Sequence, residues 1–272
     1  MKSKKEDVLA YSILILMGIV FTLPLLWIVF ASLDKNAATG FKMPEQFTLQ
    51  NYANVIKSGK NQTAFGVGLI LSLGQTLLVV CVTALASYPL SRYEIKHKQM
   101  FMYTVLFMSC LPITTVIIPV FKQFVFMGLM DSIPGVILFM TAFSLPYSMW
   151  MTKNFMDKVP IELEEAAFLD GATTFQSLVR IVIPLMAPGL WTVAIYTFTG
   201  SWSNFFVPFI LLQNADKYPA SVRLFQFFSE HNVNYGELAA YSLLYASPSI
   251  LLYVFSQRFM SKGFGLGGAT KG

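Results

Sequence analysis

The chain has 272 residues, of which 55% are hydrophobic and 12% are charged, and its formal net charge is +5. Soluble domains have roughly 45–50% apolar and about 25% charged residues, so this composition excludes an ordinary soluble domain and indicates a membrane protein. The excess of Lys and Arg is explained by orientation in a membrane, and we expect no nucleic-acid partner.

Six apolar windows predict six membrane-spanning helices and an all-α polytopic fold. A spanning helix needs about 20 mostly apolar residues, and an open strand would leave backbone N–H and C=O groups unpaired in hydrocarbon. The first window follows a basic N-terminus, as in a signal peptide, but it is longer than the usual apolar core of about 7–15 residues, so we interpret it as a span. The windows are residues 8–33, 61–91, 99–121, 132–152, 181–215 and 238–257.

Prolines predict irregularities within these windows. The fifth window is too long for one straight span, and we expect its prolines to divide it into an interfacial segment, a span and an exit segment. Prolines in the other windows predict kinked helices whose freed carbonyls find partners inside a bundle. The residues are Pro184, Pro188 and Pro208 in the fifth window, and Pro112, Pro119, Pro146 and Pro248 elsewhere.

The positions of Lys and Arg predict the orientation of the spans, since cytoplasmic loops carry the excess of basic residues. With the N-terminus inside, twelve of the 19 Lys and Arg residues lie in the cytoplasm and the other seven lie outside. We therefore predict that both termini are cytoplasmic and that residues 1–272 form one membrane domain. Outside the windows, residues 50–56 suit a short interfacial helix, whereas the tail 261–272 is too glycine-rich to form a stable helix by itself.

Catalytic patterns do not emerge from the sequence. A phosphate-binding loop, G-x-x-x-x-G-K-[ST], is missing, because Gly59-Lys60 is followed by Asn61; any ATP hydrolysis must come from another chain. A secondary carrier normally needs ionisable groups within its spans, and the predicted spans contain no paired carboxylates. We predict no catalytic, cofactor-binding or metal-binding residues, which disfavours a membrane-embedded enzyme.

The loop between the fourth and fifth windows, residues 160–180, has a polar pattern unlike its surroundings. Gly171 can adopt a positive φ and end a helix. Thr173 followed three residues later by Gln176 predicts a capping box that begins a second helix. Acidic residues suit the positive N-terminal end of the first helix; they are Glu162, Glu164 and Glu165. The sequence therefore predicts two short helices joined by a sharp bend at the inner membrane surface.

One face of the first of these helices carries small side chains and is bordered by acidic residues. Small side chains let another protein approach closely, and the acids offer partners to Arg or Lys, so the face predicts a docking surface. An amphipathic loop lying on lipid is the alternative, although anionic headgroups would repel its acids. By i, i+3, i+4, i+7 spacing the face comprises Leu163, Ala166, Ala167 and Asp170.

The same loop matches the pattern E-A-A-x-x-x-G, nine residues, then I-x-L-P, which resembles the signature of permease subunits of bacterial ABC importers. It is present as Glu165-Ala166-Ala167 through Gly171, followed after nine residues by Ile181-Val182-Ile183-Pro184, with Ile183 in place of leucine. The stretches FTLQNY at 47–52, IPLMAPGL at 183–190 and GLGGATKG at 265–272 resemble the carbohydrate-uptake type and are similar to the second permease of the maltose system.

The resemblance implies that the loop seats in a cleft of a cytoplasmic ABC ATPase dimer, which binds ATP and Mg and switches a permease pair between inward-facing and outward-facing states. It also implies a second permease subunit, an extracytoplasmic solute-binding protein that delivers a sugar, and a place in the lipid bilayer of the bacterial cytoplasmic membrane. Carried over to this chain, the ATPase contact comprises Glu165, Ala166, Ala167, Asp170 and Gly171, with Gly265, Gly267 and Gly268 in the tail.

Candidate sugar-pathway residues are aromatic rings and an amide. The family often has W-N-[ED]-F in the fifth span, where this chain has Trp202-Ser203-Asn204-Phe205. Packing or interfacial anchoring is the competing interpretation of each aromatic residue. The candidates are Trp202, Asn204, Phe205, Phe206, Tyr147 and Trp150.

The sequence favours an oligosaccharide permease and leaves two alternatives open. One is a permease for another solute, such as glycerol phosphate or a sugar alcohol. The other is a self-sufficient secondary carrier or channel.

Overall fold

The computed structural model describes residues 4–40, 43–44, 46–229 and 233–268. These residues are helical and irregular, apart from an isolated antiparallel bridge between Asp34 and Phe47. The helices are α1 (Lys4–Ser32), α2 (Gln50–Lys57), α3 (Gly59–Arg92), α4 (Lys98–Met108), α5 (Ile113–Phe126), α6 (Ile133–Met156), α7 (Glu162–Leu169), α8 (Thr174–Ser177), α9 (Ile183–Leu185), α10 (Ala187–Trp202), α11 (Phe206–Leu211), α12 (Ala220–Ser229) and α13 (Tyr235–Gly268).

Four of these helices are long and apolar enough to cross a membrane: α3, α6, and the parts of α1 and α13 at Ala10–Ser32 and Tyr235–Gln257. Two further pairs are apolar enough together but are bent, α4 with α5 by 87° and Thr174–Leu185 with α10 by 76°. The described part of the chain thus has four to six candidate spans, and the prediction of an all-α polytopic membrane protein is confirmed at that level.

The third predicted window is broken rather than kinked. After α4 ends at Met108, the chain turns, and α5 begins after Pro112, whose backbone is extended with φ −64° and ψ 132°. Proline has no N–H to donate and disfavours a helical conformation in the residue before it. By contrast, Pro119, Pro146 and Pro248 lie inside helices.

The fifth window is divided as its prolines predict. A π-helical segment, Leu178–Val182, leads into α9 and then α10, each with a proline in its first turn. The separate helix α11 contains Pro208. Segment boundaries therefore fall where proline removes a backbone hydrogen bond.

The described residues form two compact units. The first comprises Met1–Gln62 and Arg223–Ser247, and it contains the predicted short helix, α2. Within it, the buried amide of Asn51 donates to the carbonyls of Ser32 and Asp34 at 3.0 and 2.9 Å. Asn51 belongs to the FTLQNY stretch, so this motif caps the end of α1 from the following helix.

The second unit comprises Thr63–Val222 and Pro248–Gly272, and α6 packs against α4 and α10 within it. A Cβ atom at Gly189 of α10 would lie 2.4 Å from Cγ of Phe155 in α6. This spacing allows only glycine, which gives a packing reason for the glycine of IPLMAPGL. One buried cluster joins the helix ends near the 160–180 loop; it comprises Tyr88, Met156, Val159, Leu178, Val182 and Met186.

The glycine-rich tail, predicted not to form a stable helix by itself, continues α13 as far as Gly268. Adding a residue to an existing helix is much less costly than nucleating a new one. The apolar helix that begins at Tyr235 therefore extends into a segment that would not form a helix alone.

Candidate functional site

The 160–180 loop, called the elbow below, contains the two short helices that the sequence predicts. Three acidic residues occupy the first turn of α7, which begins at Glu162 and so places Pro160 just before the helix. Gly171 separates α7 from α8 and has a φ of +84°. The two-helix loop and its bend are thus confirmed.

Local hydrogen bonds fix the bend from both sides. The N–H of Gly171 donates to the carbonyl of Phe168 at 3.0 Å, and the N–H of Ala172 donates to that of Ala167 at 2.9 Å; these are the paired bonds of a Schellman motif. On the other side, the side chain of Thr173 and that of Gln176 complete a capping box. The angle between α7 and α8 is therefore specified by backbone chemistry.

The predicted ATPase-contact residues lie on the accessible side of the elbow. Glu165, Ala166, Asp170 and Gly171 are exposed, and Ala167 is partly buried. Sequence reasoning did not single out Leu169, which is 90% exposed at the tip of α7. The adjacent Phe168 is 43% exposed, and apolar side chains grouped on a surface with a polar border are a feature of interaction sites.

Glu164 has the opposite orientation from the acids around it, with only 2% of its side chain exposed. Its carboxylate accepts hydrogen bonds from Nε of Arg92 at 2.5 Å, the hydroxyl of Tyr88 at 2.8 Å and the hydroxyl of Ser177 at 3.3 Å. Glu164 lies in the first turn of α7 as predicted, but its burial and its partners were not predicted. Its partners in α3 lie 72 and 76 positions away, so no local pattern identifies them.

Arg92 completes this buried group. Its side chain is 6% exposed, and Nη2 donates to the carbonyl of Val159 at 3.0 Å. Breaking a buried ion pair by removing one partner typically costs about 3–5 kcal/mol, because the remaining charge is left uncompensated. Removal of either partner is therefore expected to destabilise the protein strongly. A more exposed pair, Lys153 with Asp157, lies at the adjacent end of α6.

The predicted tail contacts, Gly265, Gly267 and Gly268, lie at the end of α13. Their contact with an ATPase remains a prediction. Among the described residues, no group of three or more His, Cys, Asp and Glu side chains could hold a metal ion.

The candidate pathway residues near the end of α10 contact neighbouring side chains or backbone. Trp202 is 4% exposed, and its ring lies 6.0 Å from those of Phe65 and Phe198. Asn204 uses its side-chain oxygen to accept from the N–H of Val207 at 3.0 Å. Phe205 stacks on Phe209, and Phe206 packs against an apolar cluster of the second unit.

The other two candidates form an aromatic group with a third, exposed ring. Tyr147 and Trp150 are half-buried in α6, and their rings stack at 6.1 Å. Tyr196 of α10 lies 4.9 Å from Tyr147 and is 48% exposed. Sequence reasoning missed Tyr196, because the approach of α10 to α6 is a tertiary contact that spacing along the chain does not reveal.

Comparisons with known proteins agree with this architecture. The model of the family described as binding-protein-dependent transport system inner membrane component matches residues 83–262. The diacetylchitobiose uptake system permease protein NgcG of Streptomyces coelicolor is 28% identical over 255 residues, covering 92% of this chain and 84% of NgcG. The probable ABC transporter permease protein PH1036 of Pyrococcus horikoshii is 32% identical over 269 residues, covering 94% of each chain.

A solved structure has the same fold. It is a chain from the crystal structure of a bacterial ABC transporter involved in the import of the acidic polysaccharide alginate, with a TM-score of 0.81 and 20% identity, covering 95% of this chain and 98% of that one. The elbow, α6 and α10 lie within residues 83–262, which the family model matches. The chain therefore belongs to the family of inner membrane components of binding-protein-dependent transport systems.

Proposed function

We propose that this chain is one of two permease subunits of an ATP-driven ABC importer and forms half of the translocation pathway for an oligosaccharide. The observation that carries the proposal is the elbow, where a Schellman motif and a capping box hold the residues of the E-A-A motif on an exposed surface. A surface held in this way can transmit a displacement of the ATPase without a change in its own conformation.

In this proposal residues 1–272 form one membrane domain with six spans, and each bent helix pair counts as one span. Both termini and the elbow lie in the cytoplasm, in agreement with the distribution of Lys and Arg. The protein is then a multi-pass component of the bacterial cytoplasmic membrane.

The elbow docks on a cytoplasmic ABC ATPase dimer, which binds ATP and Mg. The carboxylates of Glu165 and Asp170 pair with Lys or Arg of the ATPase, while Ala166 and Ala167 allow close approach and Leu169 enters an apolar recess. Gly265, Gly267 and Gly268 form a second contact with the ATPase. An extracytoplasmic solute-binding protein delivers the substrate to the permease pair.

Two similarities support an oligosaccharide as the substrate: NgcG belongs to a diacetylchitobiose uptake system, and the similar structure comes from an alginate importer. Sugar rings present apolar faces that stack on aromatic side chains. Tyr147, Trp150 and Tyr196 offer accessible rings, so we propose that they contact the sugar. Trp202 is buried, and the side chains of Asn204, Phe205 and Phe206 contact neighbouring residues, so we propose that these four contribute through the shape of the pathway.

Reconstitution tests this function directly. Liposomes that contain this chain with its second permease, its ATPase and its binding protein should take up a labelled oligosaccharide when ATP is enclosed with the ATPase. Liposomes that contain this chain alone should show no uptake. Uptake by the chain alone would identify a carrier or channel, and uptake of only glycerol phosphate or a sugar alcohol would contradict the oligosaccharide assignment.

A further inference from the structure

The elbow has a second face that the docking surface does not use. On α7, Glu162 and Glu165 are exposed, whereas Glu164 between them is buried. One short helix thus exposes Glu165, a predicted docking residue, on one side and inserts the carboxylate of Glu164 into its own protein on the other, while Glu162 is exposed outside the predicted contact.

The buried carboxylate connects the elbow to a helix that is distant along the chain. Covalently, the elbow continues from α6 and leads into α10. Through Glu164 it is also joined to Tyr88 and Arg92 in the last turn of α3. Ser177 of α8 donates to the same carboxylate, so both short helices share one attachment point.

Several features make this attachment stiff. Arg92 is held at its other end by the carbonyl of Val159, and the side chains of Tyr88 and Val159 belong to the buried apolar cluster beneath the elbow. Water cannot readily replace the lost partners at a site this buried. Beyond it, α3 has 34 residues, which extend about 50 Å at 1.5 Å per residue. A displacement of the elbow would therefore be delivered to the end of a helix longer than the roughly 40–45 Å thickness of a bilayer with its headgroups.

We infer that Glu164 and Arg92, supported by Tyr88 and Ser177, form a buried clamp that makes the elbow and the inner end of α3 move as one body. These are positioning residues: they contact neither ATP nor sugar and act through the docking surface. The inference rests on the proposed function, since it names the helix that receives the motion of the ATPase. Without the clamp, α3 would be linked to the elbow only through the apolar packing of Tyr88, whereas α6 and α10 remain covalently joined to it.

The first test compares Glu164→Gln and Arg92→Lys with the matched control Glu162→Gln, which changes an exposed acid in the same helix turn. In the reconstituted complex, both clamp variants should still recover the ATPase, but sugar uptake per ATP hydrolysed should fall roughly fivefold or more. The control should match the unaltered protein. Unchanged uptake per ATP in the clamp variants would overturn the inference, and so would loss of the ATPase, which would place Glu164 in the docking contact itself.

The second test needs no clamp variant and is unaffected if those variants fold poorly. Spin labels at Phe168→Cys and Leu77→Cys, both exposed positions, would report the distance between α7 and α3 in a background with Cys81→Ser and Cys110→Ser. We expect one narrow distance that stays the same when ATP closes the ATPase dimer. A change of that distance in a complex that transports sugar would refute the clamp and leave the importer function intact, whereas a complex that never responds to ATP would count against the importer itself.

Discussion

At the bend of the elbow, Gly171 has a left-handed backbone, with a φ of +84°, and open space where a side chain would begin. A β-branched residue there is strained by its backbone and not by a clash, at a cost of about 1–3 kcal/mol. The strain can be relieved only by opening the angle between α7 and α8, which would move the docking surface.

We predict that Gly171→Val lowers sugar uptake per ATP hydrolysed in the reconstituted complex. Gly128→Val is the matched control, because Gly128 also has a positive φ, +67°, and open surroundings but lies in the turn after α5. Equal uptake per ATP in both variants would show that the bend has no part in coupling.

The bend could be predicted from the sequence because the hydrogen bonds that form it join residues close together in the chain. Gly171, Thr173 and Gln176 act through bonds to residues within five positions, so their roles follow from spacing alone. Glu164 could not be assigned in this way. The nearby acids Glu162 and Glu165 are exposed, and the burial of Glu164 is decided by Tyr88 and Arg92 of a distant helix.

At the scale of elements, the turn before α6 is tied to the segment after α11 by Asp131. Its carboxylate accepts from the backbone N–H groups of Gln213 and Asn214, both at 3.0 Å, and from Nζ of Lys217 at 2.6 Å. The Lys217 side chain first, and then these N–H groups, lower the pKa of Asp131 from 3.8 to about 2.

A lowered pKa means that the ionised carboxylate stabilises the folded connection. Its contribution is complete above pH 3.8 and is lost as the pH falls through about 2. We predict that amide-exchange protection of a peptide covering residues 211–218, corrected for intrinsic exchange rates, falls over this interval. In Asp131→Asn the protection should be weaker and should not follow this pH dependence.

A peptide from α10 is the control for this measurement, because α10 contains no Asp or Glu. If the 211–218 segment of the unaltered protein kept its protection down to pH 2, the stabilising role of the Asp131 carboxylate would be excluded.

The positions of the apolar helices could be predicted from the sequence, but the sharpness of the breaks between them could not. Pro184, Pro188 and Pro208 marked true boundaries, since proline removes a donor wherever it stands. Pro112 was expected to kink a helix but accompanies a break with an 87° bend. The size of a bend depends on what packs against each half, and a uniformly apolar window contains no pattern that specifies it.

At the scale of the whole molecule, composition was sufficient to place the chain in a membrane, because 55% hydrophobic and 12% charged residues cannot be accommodated by an ordinary soluble fold. The order of the helices followed from the same pattern. The accessible aromatic group of Tyr147, Trp150 and Tyr196 depended on tertiary packing, which is why one of its three members was missed.

The central claim is that the exposed face of α7 docks on a cytoplasmic ATPase. The most direct measurement is site-specific photocrosslinking from a photoreactive amino acid at Ala166 in membranes that contain the assembled importer, with Leu138 of α6, 60% exposed in an apolar helix, as the control position. We expect the label at Ala166 to crosslink to the ATPase and the label at Leu138 to give no ATPase product. Crosslinking from Ala166 only to lipid, or to a protein on the outer side of the membrane, would contradict the claim.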